Sequence, residues 1–210
     1  MQKQYSKTVV IGLSLFLFGG LSAARAAELN KLTPAEKRAG WKLLFDGKNL
    51  DHWRNYRSQT IGSGWKVVDG ALTRAAQGAG DIITVEQYDS FELSLEFNIS
   101  KGGNSGLMYH VLESDKVGAA FSGPEIQIQD NVDGHDPQKC GWLYQLYPSS
   151  VDATRPAGQW NQLRIRITPE QCSTHMNGLR YARYVKGSAD WKKRVAKSKF
   201  AKFTGFGEAA

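Results

Sequence analysis

The 210-residue chain has no apolar run long enough to cross a bilayer as a helix. Its longest, Val9 to Leu21, is 13 residues, uncharged and broken only by Gly12, Ser14, Gly19 and Gly20, against roughly 20 for a span. Lys3 and Lys7 stand at its start and Ala24-Arg25-Ala26 after it, the basic, apolar and small-x-small order of a cleavable secretory signal. Residues 1–26 are therefore read as an export signal, with a periplasmic or secreted product. No cysteine follows the run, which excludes a lipid-modified amino terminus. No later stretch spans a membrane once the signal is cut.

Cysteine is scarce. Cys140 and Cys172 are the only two, and both lie beyond the cut. In an oxidising compartment they can form one disulfide; two inert thiols is the other reading, and a catalytic thiol would need an activating base and a positive environment. Positive charge is modest too: the formal +7 falls to +4 when Lys3, Lys7 and Arg25 leave. Much of the remainder sits between Lys186 and Lys202, without interleaved stacking aromatics, so a solvated lysine-rich loop is expected and a nucleic-acid partner is not. His52, His110 and His175 show no metal-ligand spacing.

Long helical periodicity is also missing. Residues 27–36 read as a polar linker with a helical start, Thr33 as N-cap and Pro34 in first position. Trp191 to Phe200 could make a helix of two or three turns. The rest, residues 37–210, alternates in short runs. Trp65 to Leu72 is predicted as a hairpin turning at Asp69-Gly70. Phe91 to Ile99 alternates apolar and polar, Gly106 to Leu112 follows a tight turn at residues 102–105, and Glu125 to Asp130 and Leu163 to Thr168 alternate again. Cys172 to Met176 and Leu179 to Tyr184 are joined by Asn177-Gly178, the strongest short hairpin signal. Many strands with one apolar face each predict an all-β fold, two antiparallel sheets packed as a single sandwich.

The segment Glu125-Ile126-Gln127-Ile128-Gln129-Asp130 sets two isoleucines against a row of long hydrogen-bonding side chains. Such a row suits a sugar, and equally a strand facing water. Trp142, Tyr144, Tyr147 and Trp160 follow, and sugar sites combine aromatic platforms with polar groups. A conventional glycosidase needs two carboxyls within about 5 to 9.5 Å. Glu92 and Glu96 share a face but stand about 13 Å apart along their strand, so there is no clean dyad. The run Asp130 to Asp136, with His135, offers oxygen ligands and an imidazole in a turn; a divalent metal site is one reading, an Asx-turn-rich loop the other.

Taken in order, these pieces resemble the 3-keto-disaccharide hydrolase family. The likeness runs from Gly40-Trp41-Lys42-Leu43-Leu44-Phe45-Asp46-Gly47 through Gly103-Asn104-Ser105-Gly106, Pro124-Glu125-Ile126-Gln127 with Asp130, Leu143-Tyr144 and Gly158-Gln159-Trp160-Asn161. It ends with Thr174-His175, Asn177-Gly178, Ser198-Lys199-Phe200 and Gly205-Phe206-Gly207. The resemblance implies a concanavalin-like jelly roll that cleaves glycosides already oxidised at C3 by a separate sugar 3-oxidoreductase. A 3-ketone acidifies the C2 proton, so one base and donors to the ketone would suffice without a carboxyl dyad. On that basis Glu125, Asp130 and His135 are the expected catalytic residues, Asn104, Gln127, Tyr144 and His110 the substrate-binding ones, with a divalent metal optional. His110 stands where the family often has arginine. The family pattern also continues past Gly207 with a glutamine-aspartate-histidine-glycine strand and one more, whereas this chain stops at Ala210. The expectation is therefore a sandwich short of its last strands. A carbohydrate-binding module without catalysis, or an inactive truncated paralogue, are the rival expectations.

Overall fold

The computed structural model describes the backbone of Ser6–Val9 and residues 30–208 in full. The cleavage region around Ala24-Arg25-Ala26 lies outside the described residues.

Among the described residues twelve strands and two α-helices follow in chain order: β1 (Ser6–Val9), α1 (Pro34–Arg38), β2 (Trp41–Leu43), β3 (Trp53–Asn55), β4 (Trp65–Val68), β5 (Ala71–Arg74), β6 (Ile82–Thr84), β7 (Phe91–Asn98), β8 (Asn104–Met108), β9 (Glu125–Gln129), β10 (Trp160–Ile167), β11 (Cys172–Met176), β12 (Leu179–Tyr184) and α2 (Ala189–Lys197). Local chemistry accounts for many boundaries. Thr33 accepts the Glu36 N–H and Glu36 returns the bond to the Thr33 N–H, a capping box with Pro34 at the first position. Asp69 and Gly70, like Asn177 and Gly178, both carry left-handed φ angles, which two-residue hairpins require.

One sheet runs β12-β11-β10-β7-β1-β2. Its β7, β10, β11 and β12 are antiparallel neighbours, while β1 lies parallel to both β7 and β2. Facing it, β8 and β9 pair antiparallel, extended by Leu143, which bridges Ile126 on one side and Tyr147 on the other. Two further pairs, β3 with β6 and β4 with β5, complete the strands. Between the layers Ile126, Ile128, Leu143 and Leu146 meet Phe91, Leu93, Leu163, Ile165, Ile167 and Met176 in one cluster. Each such side chain contributes roughly 1.5–3 kcal/mol when fully buried. The molecule is an all-β sandwich.

One expectation is corrected, and two readings left open by the sequence are decided. β8 is Asn104–Met108 rather than Gly106 to Leu112: Tyr109 still donates its N–H to Pro124 O at 3.2 Å, but the proline has no N–H to return, and His110 then adopts φ 51°. The alternating face of β9 is not open to water: Gln127 and Gln129 are as buried as Ile126 and Ile128. Cys140 and Cys172 are separate, buried thiols, the second of the two readings open for them. Burial pushes Cys140 up to about 11, which leaves it protonated and inert.

Candidate active site

Antiparallel pairing sets Asn104, Gly106 and Met108 opposite Gln129, Gln127 and Glu125, on one face of the β8–β9 ladder. The other edge of β9 is held by main-chain bonds to residues 141–144: Gly141 N–H to Gln127 O at 2.8 Å, Gln127 N–H to Trp142 O at 3.0 Å, and Tyr144 N–H to Glu125 O at 2.9 Å. Because Leu143 sits opposite Ile126 on the core side, the alternation turns Trp142 and Tyr144 toward the face that carries Glu125 and Gln127.

The polar row divides along its length. At its far end the Gln129 amide donates to the carbonyls of Asp136 (3.0 Å) and Gln138 (2.6 Å), which folds residues 131–140 over it. Gln127, in the middle, is 1% exposed, and neither side-chain polar atom has a hydrogen-bond partner. Glu125, at the near end, is only half buried. Its carboxyl lies over Gly106, where a Cβ would come within 2.8 Å of the Glu125 Cδ.

Around Glu125 stand groups brought from distant parts of the chain. Burial raises its pKa above the ordinary 4.5, opposed by Lys199 and reinforced by Asp136 and Asp81. Tyr144 donates its phenol to Asp136 Oδ2 at 2.7 Å; burial, then that carboxylate, pushes the phenol up to about 12, so it keeps its proton. The Lys199 ammonium sits 4.0 Å from the Tyr144 ring centroid, a cation–π distance. A relay fixes the group: Gln138 N–H to Asp136 Oδ1 at 2.8 Å, Gln145 N–H to Gln138 Oε1 at 2.9 Å, and Lys199 N–H to Gln145 Oε1 at 2.9 Å. The arrangement can exchange a proton at Glu125 and present a cation and a neutral phenol beside it.

The other expected residues are placed differently. Asp130 is 3% exposed; its carboxylate accepts the Gly102 and Val132 N–H groups, both at 3.0 Å, and these bonds lower its pKa. Its role is to clamp the turn into β8. His135 is exposed on the covering loop. His110 is engaged with the Asp89 carbonyl and the Lys186 ammonium, both at 2.6 Å, and packs against Phe91 and Tyr109. Asn104 lies at the exposed start of β8. Among the described residues no three His, Cys, Asp or Glu side chains converge to hold a metal ion. Asp136, Asp81 and Lys199 are the members that sequence reasoning missed. Asp136 closed the run beginning at Asp130, and Lys199 lay in a stretch read as solvated loop.

A surface hollow lined by Arg57, Gln59, Glu113, Ser114 and Asp115 lies apart and shares no residue with this group. Arg54 holds Glu113 through two bonds of 2.8 Å, and with the Arg57 N–H this lowers the carboxyl to about 2. The Arg57 guanidinium donates to the Ser114 and Val117 carbonyls, both at 2.6 Å. Its charges fasten one loop to another.

Known proteins share this architecture. A solved Parabacteroides distasonis ATCC 8503 protein, described as a candidate glycosyl hydrolase, superposes with TM-score 0.78 at 31% identity, over 85% of this chain and 87% of its own. A second from the same organism, described likewise, gives TM-score 0.50 at 25% identity, over 65% and 68%. A curated protein of Bacteroides thetaiotaomicron named 3-keto-disaccharide hydrolase is 30% identical over 202 residues, 84% of this chain and 69% of its own length. With residues 40–206 also matching the family model described as the 3-keto-alpha-glucoside-1,2-lyase-like domain, the chain belongs to that family.

Proposed function

We propose that the chain cleaves 3-keto-glycosides, 3-keto-disaccharides among them, with Glu125 as the group that moves the proton. The observation that carries this reading is the half-buried Glu125 carboxyl, its pKa raised, beside a Lys199 ammonium and a Tyr144 phenol held protonated by Asp136. The 3-ketone makes the C2 proton acidic. The Glu125 carboxylate takes that proton, and the C–H electron pair becomes the enolate of C2, C3 and O3. When the enolate collapses, the C1–O bond breaks and its electron pair leaves on the aglycone oxygen, which takes up a proton. The remaining sugar is an enone; water adds its hydroxyl at C1 and its proton at C2. The sum is glycoside plus water giving free 3-keto sugar plus alcohol. A raised carboxyl pKa suits a group that must accept and return protons near neutrality.

The same reading has the chain act after a sugar 3-oxidoreductase, since the substrate must already carry the ketone, and the signal read at residues 1–26 has it act outside the cytoplasm. The names borne by its relatives support the substrate class. The test is turnover of a 3-keto-disaccharide, followed as free reducing sugar. Glu125→Gln is expected to lower kcat by about 10²- to 10⁴-fold while sugar binding persists. A wild-type rate in that variant overturns the assignment. Binding of the sugar by the unaltered protein without turnover would make it a carbohydrate-binding module.

A further inference from the structure

We propose that Lys199 is a catalytic residue of the Glu125 site, its ammonium binding the oxyanion that develops on O3 of a 3-keto sugar as the C2 proton leaves. The proposal rests on the function proposed above and goes beyond it by assigning the electrophile.

Lys199 is exposed but its backbone is fixed. Ser198 Oγ accepts the Phe200 N–H at 3.1 Å, and Gln145 Oε1 accepts the Lys199 N–H at 2.9 Å. The next residue, Phe200, is 1% exposed and stacks on Phe206 with ring centroids 4.0 Å apart. From that anchor the side chain crosses the Tyr144 ring at 4.0 Å and reaches 5.2 Å from the Phe200 ring. Lys42 and Arg194, by contrast, are each held by a carboxylate, Glu86 and Asp190, at 2.9 Å. Among the described residues no carboxylate forms an ion pair with Lys199. Its ammonium is nonetheless close enough to Glu125 to stabilise the charged carboxylate.

A cation held on an aromatic ring, beside the proton acceptor and without a carboxylate ion pair, suits the charge that develops on an enolate oxygen. A neutral sugar in a binding module makes no such demand, and before proton loss the ketone oxygen carries only a partial charge. The interaction therefore strengthens toward the transition state and acts on kcat rather than on KM.

The experiment compares the unaltered protein, Lys199→Met and Lys199→Arg on one 3-keto-disaccharide in D2O. Reducing sugar reports cleavage, and NMR reports exchange of the C2 proton in uncleaved substrate. Lys199→Met is expected to lower kcat and C2 exchange together by about 10²- to 10³-fold, with KM changed less than about threefold. Lys199→Arg, which keeps the charge, is expected to restore most of the loss. Should Lys199→Met melt early, Lys199→Gln replaces it. Unimpaired exchange and turnover in the uncharged variant overturn the role of Lys199 alone. An inactive unaltered protein overturns the parent function and this inference with it. A rise in KM at constant kcat also overturns it, because that result assigns Lys199 to ground-state binding.

Discussion

A Cβ on Gly106 would press on the Glu125 carboxyl, with Cδ at 2.8 Å and Cγ at 2.9 Å. The obstacle is the end of a flexible side chain rather than backbone, so the strand can keep its register while the carboxyl swings away. Gly106→Ala is thus expected to leave the melting temperature nearly unchanged yet lower kcat between about tenfold and a hundredfold, as small misplacements of reacting groups do. The pH profile carries the second half of the argument. Glu125 acts as a base only when ionised, so activity falls as the pH drops through its pKa, which burial holds above 4.5. A carboxyl displaced toward water loses that desolvation, and the acid limb of kcat/KM should move to lower pH in Gly106→Ala. A limb that stays in place, with activity intact, would show that the carboxyl does not rest where the glycine leaves room.

At the scale of elements, the site depends on how residues 131–140 fold over the β8–β9 ladder, and Asp130 starts that fold. Its lowered pKa means that the anion is stabilised by the native state, through the Gly102 and Val132 N–H groups. Its contribution to stability is present above the ordinary value of 3.8 and is lost as the pH falls through the lowered native value. Asp130→Asn should therefore melt several degrees lower near neutral pH, and thermal scans of the two proteins should converge in acid. A constant gap at every pH would refute this account. The same loop marks what the sequence could tell. Hairpins announced themselves through Asn177-Gly178 and Asp69-Gly70 because left-handed backbone is a local demand. The end of β8 did not, since Leu107, Met108 and Tyr109 read as one apolar run and pairing stops where the opposite residue is Pro124, which has no N–H to give. Alternation in β9 was legible, but not that Gln129 would turn inward to hold the carbonyls of Asp136 and Gln138. Lys199 was hidden for the same reason: its place comes from Phe200 in the core and from Gln145 across the fold, contacts that no local pattern encodes.

Across the whole molecule, the large sheet is antiparallel from β12 to β7, then takes β1 in parallel between β7 and β2. In register, Ser6 to Val9 run beside Phe91 to Ser94 on one side, and Lys7 to Val9 beside Trp41 to Leu43 on the other. That strand lies within the segment read as an export signal, so cutting after Ala26 would remove it and leave facing donors and acceptors on β2 and β7. Backbone groups left in this way bond to water or to another strand. The two forms are distinguishable, because β7 keeps β10 along its full length whichever form is present. We expect the exported protein to have the intact mass of a chain beginning at Ala27. Hydrogen exchange should then run faster at Trp41–Leu43 than in the uncut chain, while β10 and β11 stay equally protected. Slow exchange at Trp41–Leu43 in a chain of that mass would mean that a different strand fills the place of β1, and an uncut mass in the exported fraction would refute the signal reading itself.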